Sequence, residues 1–409
     1  IKLNIAGSDV FKVVAFIGAG YDNLNEDGRY GATQTFTGTG IVTGSDTGSG
    51  VVTSAGTSSP LTPKGRGVYA VEIATLISNA PVFTNSGYKI WGYTYGATDT
   101  ATTSAGMTFS LPGEASALDT DYNGYVDRLY VGDTGGNIWR FDVGASAVAS
   151  WTGRKIFSAN PGSGGASDAG RKIFYKPSVS FEVGYKLVFF GTGDREHPLN
   201  RAVTDRMYGI KDKDSDQTTT VVEDHVDNTH ELVDVTTNAL QVDTTTAAQI
   251  SSILSSLSDT STLFGWYIKL NENSGEKVLA PALVFNKVAY YTTYSPTAVV
   301  VVDPCQPGNL GTGRLYAGDY KTGEAVINYD ASNDSSSTIG NTRASGGEGA
   351  YVLRRSDRVK TLGSGIPSGL VVIVGAGGDA KLLIGCGGAL CTTDTSGGGT
   401  IIPLYWRQK

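Results

Sequence analysis

Ten short apolar segments, many of them closing on Gly or Asp, limit what this 409-residue chain can become. They are "FKVVAFIGAG", "GVYAVEIA", "RLYVGD", "NIWRFDV", "YKLVFFGTG", "RMYGIKD", "GWYIKL", "VAYYTTY", "RLYAGDY" and "GLVVIVGAG". Most are too short for stable helices, and several alternate apolar with polar residues, as half-buried strands do. Helical spacing is convincing only over residues 245–259, where Ile250, Leu254 and Leu257 fall on one face. The expected class is therefore all-β, with one or a few short helices. The 55 glycines suit tight turns, and the 21 tyrosines suit pleated strands. The length allows two ordinary domains or one large all-β domain.

Four of the segments share a grammar. "GVYAVEIAT", "GNIWRFDVG", "DRMYGIKDK" and "GRLYAGDYKTG" each set an aromatic in mid-strand, then an acidic or alternating position, then a turn. In "DYKTGEAV" an Asp-x-x-Thr-Gly turn starts the next strand. Repeated strand–turn units of this kind are what propeller blades leave in a sequence. A generic β-sandwich is the alternative. Irregular spacing requires insertions, for which the stretches 31–66, 211–260 and 330–348 are the candidates.

The loop "DTDYNGYVD" carries the sharpest chemical signal. Asp119, Asp121 and Asn123 occupy alternate positions, Gly124 follows, and Asp127 closes the series. Calcium takes about six to eight hard oxygen ligands, and alternate short acidic side chains converge when the chain coils round one point. Gly124 permits the sharp turn, and the carbonyl of Tyr125 can then face inward. The pattern matches the first nine positions of an EF-hand loop. It departs at the twelfth, where Tyr130 replaces the bidentate Glu. The missing ligand would be water or a residue from elsewhere. Magnesium is disfavoured because it demands a compact octahedron. An acidic surface turn is the alternative reading.

Other constellations are weaker. Asn23, Asn25, Asp27 and Gly28 match part of a second calcium loop. Asp212, Asp214 and Asp216 lack the glycine and read as a solvated loop. His225 and His230, among Glu223, Asp224, Asp227 and Glu231, do not have zincin spacing and also read as a solvated loop. Asp194, Arg195 and Glu196, beside His197, read as turn hydrogen bonds and a salt bridge. The Gly motifs in "VVAFIGAGYDN" and "VVIVGAGGDA" lack the following helix a dinucleotide site needs, so strand-end turns are expected. There is no G-x-S-x-G elbow and no recognisable Cys–His spacing, so catalysis is not indicated.

Net charge is −7 with no basic stripe, which argues against nucleic acid and anionic membranes as main partners. No apolar run reaches bilayer length. Cys386 and Cys391 flank "GGAL", where a disulfide-closed turn is one reading; Cys305 would then be odd. The chain starts at Ile1 with no Met or signal peptide, and is read as a fragment of a longer, processed protein.

Taken in order, "FIGAGYDNLNEDGRY", "SALDTDYNGYVDRLYVGDTGGNIWRFDV", "KPSVSFEVGYKLVFFGTGDRE", "DRMYGIKD", "GWYIKLNENSGEKVLAPALVFNKVAYYTTYSP" and "GTGRLYAGDYKTG" cover most of the chain. In these segments it resembles the C-terminal domain of the PilY1 family, type IV pilus biogenesis factors and tip-associated adhesins. The resemblance implies a modified β-propeller with irregular loop insertions, spanning 1–409 as one domain, with the N-terminal region absent. It implies Ca2+ held by Asp119, Asp121, Asn123, Asp127 and the Tyr125 carbonyl. It implies a non-enzymatic role in pilus extension versus retraction, surface attachment and twitching motility. The implied partners are minor pilins and the pilus assembly, with any host or abiotic surface ligand bound through the missing N-terminal region. The implied location is bacterial and secreted or cell-surface, at the pilus tip or outer membrane. Two rivals remain. A quinoprotein-like propeller dehydrogenase would need regular blade motifs, and only one convincing Asp-x-x-Thr-Gly turn is present. A cell-surface carbohydrate- or protein-binding propeller unrelated to pili would not bind minor pilins.

Overall fold

The computed structural model describes residues 1–22, 35–36, 42–43, 65–95, 97–98, 107–159, 170–216, 220–222, 231–242, 244–297, 310–330, 332, 353–374 and 380–395. Four antiparallel meanders follow one another along the chain. The first runs Lys2–Ile5, Ser8–Gly18, Gly67–Ile77, Lys89–Thr94. The second runs Ser116–Leu118, Arg128–Gly132, Asn137–Asp142, Thr152–Ser158. The third is Ser178–Glu182, Tyr185–Gly191, Arg206–Lys213, Leu263–Lys269. The fourth is Lys277–Val278, Val288–Ser295, Thr312–Asp319, Val359–Ser364. A three-stranded sheet, Val371–Val374, Ala380–Cys386 and Ala389–Asp394, comes last.

Side chains on a strand point alternately to its two faces. In "RLYVG", Leu129 and Val131 join a core with Trp91 and Tyr93 of the first sheet. Tyr130, between them, joins a different core with Val188, Phe190 and Tyr208 of the third. The third sheet repeats this: Leu187 and Phe189 turn toward Tyr291 of the fourth. The fourth in turn sends Val288 and Tyr290 toward Leu382 and Ile384 of the last sheet. Each middle sheet thus buries both faces, against its predecessor and its successor. A two-sheet sandwich leaves each sheet an outward face, so that alternative fails here. The fold is an all-β modified propeller with irregular insertions.

Local chemistry sets the turns. At the Asp-x-x-Thr-Gly turn, the Asp319 carboxylate accepts from the backbone N–H of Lys321 and Thr322 at 2.9 and 3.0 Å. Trp266 of the third sheet donates its indole N–H to the Tyr320 carbonyl at 3.0 Å, tying the turn across the interface. Asp133 does similar work in "GDTGGNIW": fully buried, it accepts from Gly135 N, Asn137 N and the indole N–H of Trp139.

The stretch 211–260 is more than a polar insertion. Asp212 lies in the strand Arg206–Lys213 and is buried, which corrects the solvated-loop reading for that residue. Beyond it, Val221–Val222 runs parallel beside Thr152–Ser158, and Glu231–Asp234 runs parallel beside Leu263–Lys269. The helix Ala247–Ser258 follows the expected segment. Thr246 caps it, with Gln249 closing a reciprocal capping box. Leu257 is buried, and Ile250 and Leu254 pack on the core around Trp266. The strands flanking the second Gly motif, Val371–Val374 and Ala380–Cys386, pair antiparallel, while residues 375–379 lie outside the described residues. Cys386 and Cys391 form a disulfide across the Gly387–Gly388 turn. Cys305, Asn23, Asn25, Asp27, Gly28, His225 and His230 lie outside the described residues, as do most of 31–66 and 330–348. Among the described residues, no helix is long and apolar enough to cross a membrane.

"FGTGDREHP" builds a buried charge cluster. Asp194 takes Lys172 Nζ at 2.6 Å and the backbone N–H of Glu196 at 3.0 Å. Burial opposes its ionisation, but Lys172 and His197 hold the carboxyl well below the usual range. Lys277 Nζ donates to the carbonyls of Asn200 and Gly275 at 2.6 and 2.7 Å. Asp205 is the contrast. It is 1% exposed, and its Oδ1 has no hydrogen-bond partner among the described residues. Burial, only partly offset by Lys277, pushes its pKa up to about 6. A carboxyl whose folded pKa is raised contributes stability at low pH that is lost as pH rises through the folded value. Asp205→Asn should therefore stabilise the chain at pH 7 by up to about 3 kcal/mol and change little at pH 4. Urea melts at the two pH values test this; an equal effect at both would exclude titration of Asp205 as the cause.

Candidate metal loop and its relatives

The loop Asp119–Asp127 joins Ser116–Leu118 to Arg128–Gly132 in the second sheet. Its course follows from the residues. Tyr122 and Gly124 both take the left-handed region, at φ 61° and 90°, and so curl the chain. The Asp119 carboxylate accepts from Asn123 N at 3.0 Å and Gly124 N at 2.7 Å. Asp121 accepts from Asn123 Nδ2 at 2.8 Å, and Asn123 Oδ1 accepts from Tyr125 N at 2.9 Å. Asp127 accepts from Thr120 N and Thr120 Oγ1 at 3.0 and 2.8 Å.

These bonds bring one carboxylate oxygen from each of Asp119, Asp121 and Asp127 within 4.8 Å of one another. Asp121 is exposed, and the other two are half-buried. Three hard anionic oxygens at that separation suit a divalent cation of the calcium class. Asn123 and Tyr125 lie in the same coil, with Asn123 braced between Asp121 and the Tyr125 amide.

Tyr130, at the twelfth position, cannot supply a ligand to the loop. It is fully buried in the strand, and its hydroxyl donates to Asp212 at 2.5 Å. Strand geometry explains the departure: an EF-hand continues into a helix, whereas here Arg128 begins a paired strand.

The loop is anchored on three sheets. Asp127 N donates to the Leu118 carbonyl at 2.9 Å, and Val143 N donates to the Asp127 carbonyl at 2.7 Å. Gly144 lies so close to Asp127 that a Cβ there would meet the Asp127 Cβ at 2.8 Å. The Tyr125 ring stacks on Phe11 of the first sheet, centroids 5.5 Å apart. The Tyr122 ring lies 5.7 Å from Phe181 of the third. Sequence reasoning missed Phe11, Phe181 and Gly144, because each touches the loop from a distant segment. Thr120 was within reach of it, since it sits inside the motif.

Directly after the loop, the chain enters an ion network between the second and third sheets. Arg128 Nε pairs with Asp142 at 2.9 Å, and Arg140 reaches Asp142 at 3.0 Å and Asp212 at 3.2 Å. Arg154 reaches Asp212 at 3.4 Å. Lys186 of the third sheet pairs with Asp214 at 2.5 Å. Burial first, and Asp212 next, push the Tyr130 hydroxyl well above its ordinary pKa, so it stays a donor.

Comparison with known proteins adds a family. Residues 100–249, which hold the loop and the second sheet, match the family described as the PilY1 beta-propeller domain. Over that span the chain is similar to the PilY1 family. A type IV pilus biogenesis factor PilY1 homolog of Xylella fastidiosa is 26% identical over 257 residues, 58% of this chain. The chain spans only 16% of that relative's length. The crystal structure of the Pseudomonas aeruginosa PilY1 C-terminal domain superposes with a TM-score of 0.48 at 17% identity, covering 81% of this chain and 67% of that one.

Proposed function

We propose that this chain is the calcium-binding, non-enzymatic propeller region of a type IV pilus biogenesis factor. In this reading it forms one domain over 1–409 at the C-terminal side of a longer protein. It works at the cell surface or pilus tip with minor pilins, biases pilus extension against retraction, and supports attachment and twitching. The single observation that carries the calcium reading is the convergence of Asp119, Asp121 and Asp127 within 4.8 Å. The pilus reading rests on the match of residues 100–249 and on the name of the Xylella relative.

Asp119, Asp121, Asn123, Asp127 and the Tyr125 carbonyl would hold the ion. Bound calcium would supply charge that offsets three mutually repelling carboxylates. The residues themselves do the rest. Closing the coil holds Tyr125 against Phe11 and Tyr122 against Phe181, so the order of the loop is coupled to contacts with both neighbouring sheets. Asp127 passes that order to Val143 through the backbone and to Arg128 as its chain neighbour. The loop is thus a clasp over the second sheet.

Calcium titration by calorimetry tests the reading, with Asp121→Ala and Asp127→Ala as controls. Saturable binding should vanish in both variants. Calcium at 100 times its dissociation constant should add about 2.7 kcal/mol to wild-type stability, read as a rise in Tm. Absence of saturable heat, with equal Tm in calcium and chelator, would leave the loop as an acidic turn. With binding established, the Asp127→Ala variant in the full-length protein should alter surface piliation and twitching; unchanged values would refute the regulatory role.

A further inference from the structure

A cleft of about 590 Å³ opens between the third and fourth sheets, away from the metal loop. Ile268 and Lys269 form one wall, and Tyr316, Val359 and the segment Arg354–Arg358 form the other. Its volume is that of a small-molecule site. Lys269, Arg354, Arg355 and Arg358 line it against one acidic residue, Glu272. Two carboxylates stand close by. Asp234 pairs with Lys269 at 3.2 Å, and Asp357 accepts from the backbone N–H of Arg354 and Asp330. Counting both, positive charge still exceeds negative, in a chain whose net charge is −7.

Arg358 is only 3% exposed. Its Nη1 donates to the Val235 and Gly323 carbonyls at 3.0 and 3.1 Å, and its Nη2 to the Thr236 carbonyl at 2.7 Å. Those partners are neutral, and its Nε has none among the described residues. Burial, with Arg355 beside it, pushes its pKa down to about 10. Arg355 is more open and pairs with Glu272, so one arginine fork of the cleft already faces a carboxylate. Thr236, Thr244 and Ser356 add hydroxyls to the lining.

We infer that this cleft binds a small hydroxylated carboxylate, of the size of a sugar acid, with Arg355 gripping the ligand carboxylate in place of Glu272. Arg358 supplies the under-neutralised positive charge behind it, and the hydroxyls meet the ligand's own. Binding is reversible and involves no covalent step.

Calorimetry on the whole chain tests this, with galacturonate as the probe and inorganic phosphate in a separate arm. Galacturonate should bind saturably. Arg355→Ala should weaken it about tenfold or more, the worth of a charge-assisted hydrogen bond. Glu272→Gln should tighten it several-fold, because the competing carboxylate is gone while the shape remains. Both residues are partly exposed, and unchanged melting temperatures will establish that the variants fold. The inference fails if galacturonate does not bind, or binds indifferently to both substitutions. Binding of phosphate without galacturonate would overturn the carboxylate assignment.

Discussion

Asp212→Ala should cost roughly 3–5 kcal/mol of stability, the range for breaking a buried charge cluster by removing one partner. Asp212 is 4% exposed and meets Arg140, Arg154 and the Tyr130 hydroxyl. Without it, Arg140, itself 1% exposed, loses a buried carboxylate and keeps its pairing with half-buried Asp142. The Tyr130 hydroxyl is left without its acceptor in the core. Asp212→Asn separates the two contributions. It keeps an oxygen for Tyr130 but removes the charge, so a loss close to that of Ala would assign the effect to the arginines. Urea unfolding measures both, and a loss under about 1 kcal/mol for Ala would show that water or side-chain movement compensates. The second and third sheets share this cluster, so unfolding should remain a single transition in the wild type and broaden in the variant.

Trp91→Ala should cost about 3–5 kcal/mol, as large-to-small changes of buried aromatics do. Trp91 is fully buried, with Trp151 and Phe141 edge-on at 5.4 and 5.7 Å. Its ring therefore joins the first sheet to the second. Its indole N–H has no hydrogen-bond partner among the described residues. Trp91→Phe should then lose only ring volume, about 1–2 kcal/mol. Trp266 differs, since its N–H holds the Tyr320 carbonyl. Equal losses for Phe and Ala at position 91 would mean the ring contacts carry little, and denaturant melts of the two variants decide it.

Much of this architecture could be read locally. Strand segments such as "RLYVG" and "YKLVFFG" announce themselves because short apolar runs with Gly ends have few other uses. The helix was legible from Ile250, Leu254 and Leu257, which recur on one face within a few turns. The coil of Asp119 to Asp127 was legible because its ligands and its glycine are near neighbours in sequence. What escaped was long-range. Nothing around Asp212 announces that Tyr130 and Arg140 will meet it, and a charged run reads as solvated until its partners are known. Phe11 and Phe181 look like ordinary strand aromatics until the loop lies across them. The parallel pairing of Val221–Val222 was equally hidden, since two residues make no pattern.

That short parallel pairing, with its companion at Glu231–Asp234, bears on how copies of this chain tolerate one another. Thr152–Ser158 and Leu263–Lys269 end their meanders, and a terminal strand offers unpaired N–H and C=O groups to any neighbour. The excursion from the third sheet back to the second, and then home, occupies part of each row with the chain's own backbone. Copies held close together would otherwise find matching templates in one another. The same segment that looks like a decorative insertion thus leaves less of these two strand edges open to a neighbouring copy.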